Sequence, residues 1–191
     1  YHKTDGYSTE GAIKYFLLGS FSSAIFLFGL AFVWGITGTT NIAEVTGYMG
    51  QVAAGTIPMS PGLGLALAFM TTGVAFKIAA VPFHYWTPDA YQGSPTPVTG
   101  YLSVGPKIAA FALIIRLFAQ GLQDLAIDWN IVFMVLAALT MTLGNLVALQ
   151  QDNVKRMLAY SSIAHTGYML VGFAAFGAGN IAGLEGLLYY G

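Results

Sequence analysis

Hydrophobic positions run through this chain in long blocks, without the alternation of a half-buried strand or the single apolar stripe of a soluble helix. A helix needs about 20 apolar residues to cross a bilayer. Five stretches qualify, about 12–37, 61–81, 97–119, 129–150 and 157–177, and a sixth opens near Ile181. Between the first two lies TGTTNIAEVTGYMGQVAAGTIPMSPG, in which Ile42 to Ala54 is predicted to form a short amphipathic helix at the interface. Its sole charge is Glu44, so basic attraction to lipid headgroups plays no part there.

Residues 82–97, PFHYWTPDAYQGSPTP, break the pattern. The segment holds Pro82, Pro88, Pro95 and Pro97, yet stays aromatic and nearly uncharged, unlike an ordinary loop. Pro82 denies the Ile78 carbonyl its helical partner and should break the helix just after Lys77. Pro106 should likewise free the Leu102 carbonyl, one turn before Lys107. Freed carbonyls at membrane depth persist only where protein or water satisfies them, and such defects tend to line ion sites.

Composition sharpens this reading. The 191 residues are 56% hydrophobic and 8% charged, where soluble domains carry about 25% charged residues. The chain cannot clothe a water-facing surface, which predicts an all-α, polytopic bundle in the lipid bilayer, one domain over 1–191. A net charge of -1 and no long basic run exclude a nucleic-acid binder. With no cysteine there is no disulfide, thiolate metal site or cysteine-held iron–sulfur cluster. Three histidines without HExxH spacing recommend no metal site. No GxxxxGK[ST] nucleotide loop occurs, so redox chemistry within the chain is not expected.

No signal peptide opens the sequence, which begins without Met and stops in apolar LLYYG, as an internal piece of a longer membrane protein would. Basic residues set orientation. An N-terminus in the cytoplasm puts Lys3, Lys14, Lys155 and Arg156 inside, leaving Arg116 outside among Glu44, Asp124 and Asp128.

The candidate chemistry rests on two lysines in apolar runs. Lys77 lies in LGLALAFMTTGVAFKIAAVPF and Lys107 in VTGYLSVGPKIAAFALIIRLF. A charge near mid-bilayer costs about 2.5–3.5 kcal/mol on insertion scales, and intramembrane ionisable groups mark ion paths or proton relays. Snorkelling of the ammonium to an interface is the structural alternative, easier for Lys77 than for Lys107. No carboxylate lies deep in a span: Asp89 is in the proline segment, Glu10 at a helix mouth and Glu185 in the last stretch.

Ser161 and His165, four residues apart, share a helix face and could relay protons, the alternative being a histidine hydrogen-bonded between packed helices. Thr140, Thr142 and Asn145 could carry water or tie helices together. His84 would share a face with Lys77 were the helix continuous. Tyr85 and Trp86 suit an interfacial belt, Lys155 and Arg156 suit topology anchors, and Arg116 suits a helix end.

The run FKIAAVPFHYWTPDAYQGSPTPVTGYLSVGPKIAAFALIIRLF resembles the core of the antiporter-like membrane subunits of respiratory complex I, the NADH–quinone oxidoreductase, and best the subunit N (subunit 2) group. ALQQDNVKRMLAYSSIAHTGYMLVG and EGAIKYFLLGSFSSAIFLFG are similar to the flanking helices of that family. The resemblance implies an antiporter-like fold of two inverted five-helix repeats with broken helices, of which this chain covers about the sixth to tenth helices and the start of the eleventh. It implies that Lys77 and Lys107 match the family's translocating lysines on the seventh and eighth helices. A fifth-helix glutamate and a twelfth-helix lysine would lie outside this sequence. Pro106 stands where the family would lead one to expect a small hydroxyl residue.

The implied function is proton translocation across a bacterial inner membrane beside other complex I membrane subunits. NADH, FMN, iron–sulfur clusters and quinone would sit in those partner subunits, with no cofactor in this chain. A subunit of a cation/proton antiporter or of a membrane-bound hydrogenase is the alternative within the same fold family. An inert membrane scaffold is the alternative outside it.

Overall fold

The computed structural model describes residues 4–191, and the side chains of all of these except 126–128. Lys3 and the side chain of Asp128, both counted in the charge bias, lie outside the described residues. The chain folds as α1 (Gly6–Thr37), α2 (Ile42–Ala53), α3 (Pro61–Lys77), α4 (Trp86–Gly93), α5 (Thr96–Ile114), α6 (Ala126–Ala148), α7 (Val154–Gly177) and α8 (Ile181–Tyr190). Polar caps set the boundaries. Asp5, Asn41, Ser60, Asn153 and Asn180 each accept a backbone N–H of the helix that follows. Gly38 ends α1 in the left-handed region, φ 72°, which a side chain would resist.

Three helical stretches, Gly6–Thr37, Thr96–Gly121 and Trp129–Ala148, are long and apolar enough to cross a membrane. Large apolar side chains such as Phe16, Phe21, Ile131 and Met134 are exposed along them, as lipid contact requires. The chain is an integral, multi-pass membrane protein.

α3, at 17 residues, is shorter, about 25 Å by helical rise. α4 continues beyond its end along α1, as the glycines between them show. Cβ atoms built at Gly29 and Gly73 would run into Met70 and Phe26, so α1 and α3 touch there almost backbone to backbone. Farther along, Gly11 closes on Asp89 and Ala90, and Gly93 closes on Tyr7 and Ser8. As α1 is followed from residue 29 back to residue 7, its partner advances from α3 into α4. The 32 residues of α1, about 48 Å long, therefore lie antiparallel to both halves of one discontinuous span.

The break between the halves is built from neighbours. Ala79 takes φ 59°, and Pro82 follows, so no helix can run through. The Val81 N–H donates to the Thr140 hydroxyl of α6 at 2.9 Å. The indole N–H of Trp86 reaches back to the Phe76 carbonyl at 3.1 Å. Trp86 is therefore no interfacial-belt residue. It is buried, with its ring 5.3 Å from that of Phe76 and 5.0 Å from that of Tyr15.

Nearby, Pro106 leaves the Leu102 carbonyl without its helical N–H, as expected, yet α5 runs continuously from Thr96 to Ile114 with the proline inside it. A proline removes one rung and strains one turn, and the rungs on either side keep the axis. The irregularity comes later, where Ile115–Gly121 winds as a π-helical segment. Arg116 thus sits within a continuing helix, not at its end. On the partner side, Thr46 of α2 donates to the Gln120 carbonyl at 3.0 Å, taking up an acceptor of the π-helical segment. α2 thereby packs against this end of α5.

α6 and α7 form an antiparallel pair through small residues, with Gly144 against Ala164 and Gly167 against Met141. A side chain larger than hydrogen at Gly167 would meet the Met141 backbone at 2.6 Å. Gly167→Leu should therefore destabilise the protein by about 1–3 kcal/mol, the usual cost of overpacking. Gly64→Leu should be tolerated, because nothing lies within 4 Å of a Cβ at Gly64. Thermal unfolding of the two variants in detergent checks this, and equal midpoints would refute the close α6–α7 crossing.

Candidate functional site

Lys107 projects from α5 and is buried, with 7% of its surface exposed. An ammonium carries three N–H donors and no acceptor, and each donor finds a partner on α7. Nζ lies 2.8 Å from the Ser162 carbonyl, 2.7 Å from the Ser162 hydroxyl and 3.0 Å from the Thr166 hydroxyl. No carboxylate bonds it among the described residues. An isolated buried cation is prohibitively costly, so these neutral oxygens are what allow it to stand there.

Two neighbouring cavities lie along this face, and the lysine lines one of them. One, of about 400 Å³, is lined by Lys107 with Ser103, Ser162, His165, Thr166 and Tyr190. The other, of about 470 Å³, extends towards the α7 N-terminus past Tyr91, Thr99, Ser161 and Lys155. Ser103, Ser162 and His165 line both, so the two adjoin along the α5–α7 face.

The structure thus puts His165 on both cavity walls, with Lys107 on one and Ser161 on the other. The His165 Nδ1 atom bonds the Tyr190 hydroxyl of α8, and its ring meets the Tyr168 ring edge-on at 5.6 Å. Lys77 is placed elsewhere. It ends α3 at the break, exposed, with no hydrogen bond or ion pair among the described residues. His84 does not share its face. It is half-buried in the break, its ring 6.3 Å from that of Tyr160 on α7.

Sequence reasoning missed two members of the site. The hydroxyls of Thr87 and Tyr91 on α4 are buried without a protein partner, as is Nδ1 of His84. Tyr91 is also a wall of the larger cavity. Positions 84, 87 and 91 follow helical spacing, so unpartnered polar atoms run from the break towards that cavity. Buried polar atoms in native proteins are nearly always bonded to protein or to ordered water, and the Ser162 hydroxyl on α7 is near enough to Tyr91 to serve as one such partner. Thr and Tyr four residues apart in WTPDAYQG were the available sign.

Asp89, on α4, lies between two cations, 2.5 Å from Lys14 Nζ of α1 and 2.5 Å from Arg156 Nη1 of α7. Lys155 donates to the Ser94 carbonyl at 2.8 Å. The pair read as topology anchors therefore also makes tertiary contacts. Among the described residues no group of three or more His, Asp or Glu side chains converges as a metal site would need.

An interrupted apolar helix beside a buried lysine that no carboxylate bonds among the described residues is thus set in an all-helical membrane bundle. The chain matches the family model described as NADH:quinone oxidoreductase/Mrp antiporter, TM, over residues 1–191, and it belongs to that family. It is 50% identical over 183 residues, 96% of this chain, to the NADH-quinone oxidoreductase subunit N of Trichlorobacter lovleyi. It is 52% identical over 190 residues, 100% of this chain, to subunit N of Moorella thermoacetica. The chain spans 36% and 38% of the length of these two curated relatives.

Among solved structures it superposes on a chain of respiratory complex I from Thermus thermophilus with a TM-score of 0.74 and 39% identity, covering 99% of this chain and 39% of that one. On a chain of the Mrp complex from Dietzia sp. the TM-score is 0.81 at 29% identity, covering 94% and 32%.

The lysine geometry makes a prediction of its own. Thr166→Val keeps the volume but removes one acceptor, and should cost about 1–3 kcal/mol of stability by leaving an ammonium N–H unpaired. In a Lys107→Met background the same change should cost little, so a double-mutant cycle in detergent should show coupling of at least about 0.5 kcal/mol. Strict additivity would mean that Lys107 does not use Thr166.

Proposed function

We propose that this chain is the lysine-bearing part of a proton-translocating membrane subunit of an NADH–quinone oxidoreductase, with the redox centres in other subunits. The observation that carries the reading is Lys107: a buried amine held by three neutral oxygens on the wall of one cavity, which shares Ser103, Ser162 and His165 with a second. A proton released from it enters the cavity that it lines and reaches the second past those shared residues. Ser161 and His165 line that space and serve as relay groups. Lys77 sits in the last turn of α3, where the helix dipole favours a cation. It holds or releases a proton as charges beyond this sequence change, and the row at His84, Thr87 and Tyr91 carries water between the break and the cavity that adjoins that of Lys107. With the α1 N-terminus in the cytoplasm, the larger cavity is the cytoplasmic one.

Sequence identity favours this reading, at 50% and 52% to the subunit N proteins against 29% to the Mrp chain. The higher TM-score with the Mrp chain keeps cation/proton antiport as a second reading. Co-purifying subunits separate the two, since only the first brings flavin and iron–sulfur proteins.

In the intact complex, Lys77→Ala and Lys107→Ala should each lower proton pumping and coupled quinone reduction severalfold while assembly survives. Arginine at either position should not restore pumping, because guanidinium does not release its proton in this range. Pumping by assembled alanine variants at the parent rate, followed with a pH-sensitive dye in proteoliposomes, would leave the lysines inert and the chain a scaffold.

A further inference from the structure

α4 has eight residues, and its first turn carries no side-chain cap. So short a helix has no stability of its own, and what holds it is visible at one residue. The two carboxylate oxygens of Asp89 are divided between helices, Oδ2 on Lys14 of α1 and Oδ1 on Arg156 of α7. Arg156 also donates to Gln92 at 3.1 Å, and Lys14 to Glu10 at 2.6 Å. Two cations and two anions balance in this cluster, so neutralising Asp89 leaves a net positive charge and two cations facing each other. The site is partly sheltered, the Asp89 side chain being 18% exposed, so solvent screens it less than a surface pair.

Thr87 and Tyr91 stand two residues to either side of Asp89, about 200° around the helix. Their buried, unpartnered hydroxyls thus lie on the side of α4 away from the ion pair. Any rotation or lift of α4 that frees Asp89 moves that row.

We propose that Asp89 is a positioning residue, a latch shared by α1 and α7 that sets the register of α4 and thereby limits water access from the cavity at Tyr91 to the break at His84. A carboxylate anchored on both sides fixes rotation as well as depth, which a single pair would not. The link to proton transfer rests on the translocation reading above. The latch itself does not, and it is tested without any flux.

Thr87→Cys in the full-length subunit, purified in its complex, places a thiol at a position that is 0% exposed, in a sequence region that has no other cysteine. With Asp89 intact, N-ethylmaleimide should modify it slowly. Asp89→Asn should raise that rate roughly ten- to hundredfold, the factor that loss of a charge-assisted hydrogen bond permits. Arg156→Ala should do the same, and Asp89→Glu should restore slow labelling. Ala66→Cys, in the α3 core at 0% exposed, should stay slow throughout. Equal Thr87→Cys rates with and without the carboxylate would overturn the latch. So would an equal rise at Ala66→Cys, which would make Asp89 merely a global stabiliser. Pumping by the Asp89→Asn complex, measured separately, reports only on the link to transport.

Discussion

A backbone that leaves helical geometry inside a membrane must find its hydrogen-bond partners within the protein, because lipid offers none. The break between α3 and α4 meets this demand with the Thr140 hydroxyl and the Trp86 indole, and much of the architecture follows from keeping those partners in place. α6 must lie close enough to present Thr140. Trp86 must be buried, and so sits against Tyr15 and Phe76. α1 must be long enough to brace both halves of the interrupted span, and it approaches them at glycines where backbones nearly touch. Lys77, the last residue of α3, gets its place at a helix C-terminus from the same break.

The two lysines are alike in sequence and unlike in setting. Both stand in apolar runs close to a proline, and reading the sequence assigned each a helix defect. Only Pro82 ends its helix, since it acts together with the left-handed Ala79 and with partners waiting on α6 and at Trp86. Pro106 has no such company and is absorbed within α5. A proline's effect in a membrane helix thus depends on what stands ready to accept the freed groups, and this is tertiary information. Trp86 lies ten residues from its acceptor and Thr140 fifty-nine from its donor.

The same distance in sequence explains what was legible at the site. Long apolar blocks announced a membrane bundle, and the cost of burying an ammonium singled out Lys107. Helical spacing placed Ser161 with His165. The acceptors of Lys107 lie 55 and 59 residues away, and the cations on Asp89 lie 75 and 67 away, so no local pattern could assign them. Thr87 and Tyr91 were missed for a different reason. Their significance is an unmet hydrogen bond, which exists only once α4 has been packed against α7.

Neutral acceptors around Lys107 suit a group that must change its charge. A carboxylate would stabilise the ammonium so well that proton release would strand a buried anion. A hydroxyl can serve both states, accepting from the charged amine and, after rotation, donating to the lone pair of the neutral one. Ser162 supplies such a hydroxyl, whereas Thr166 accepts from the amine with its single O–H committed to the Ser162 carbonyl, which itself can only accept. The carbonyl is not stranded when the ammonium turns away, because Thr166 already donates to it at 3.1 Å. Both protonation states therefore keep a bonded neighbourhood, and the balance between them is left to charges farther off. That is the property a proton carrier needs if it is to answer an electrostatic change elsewhere in a larger assembly.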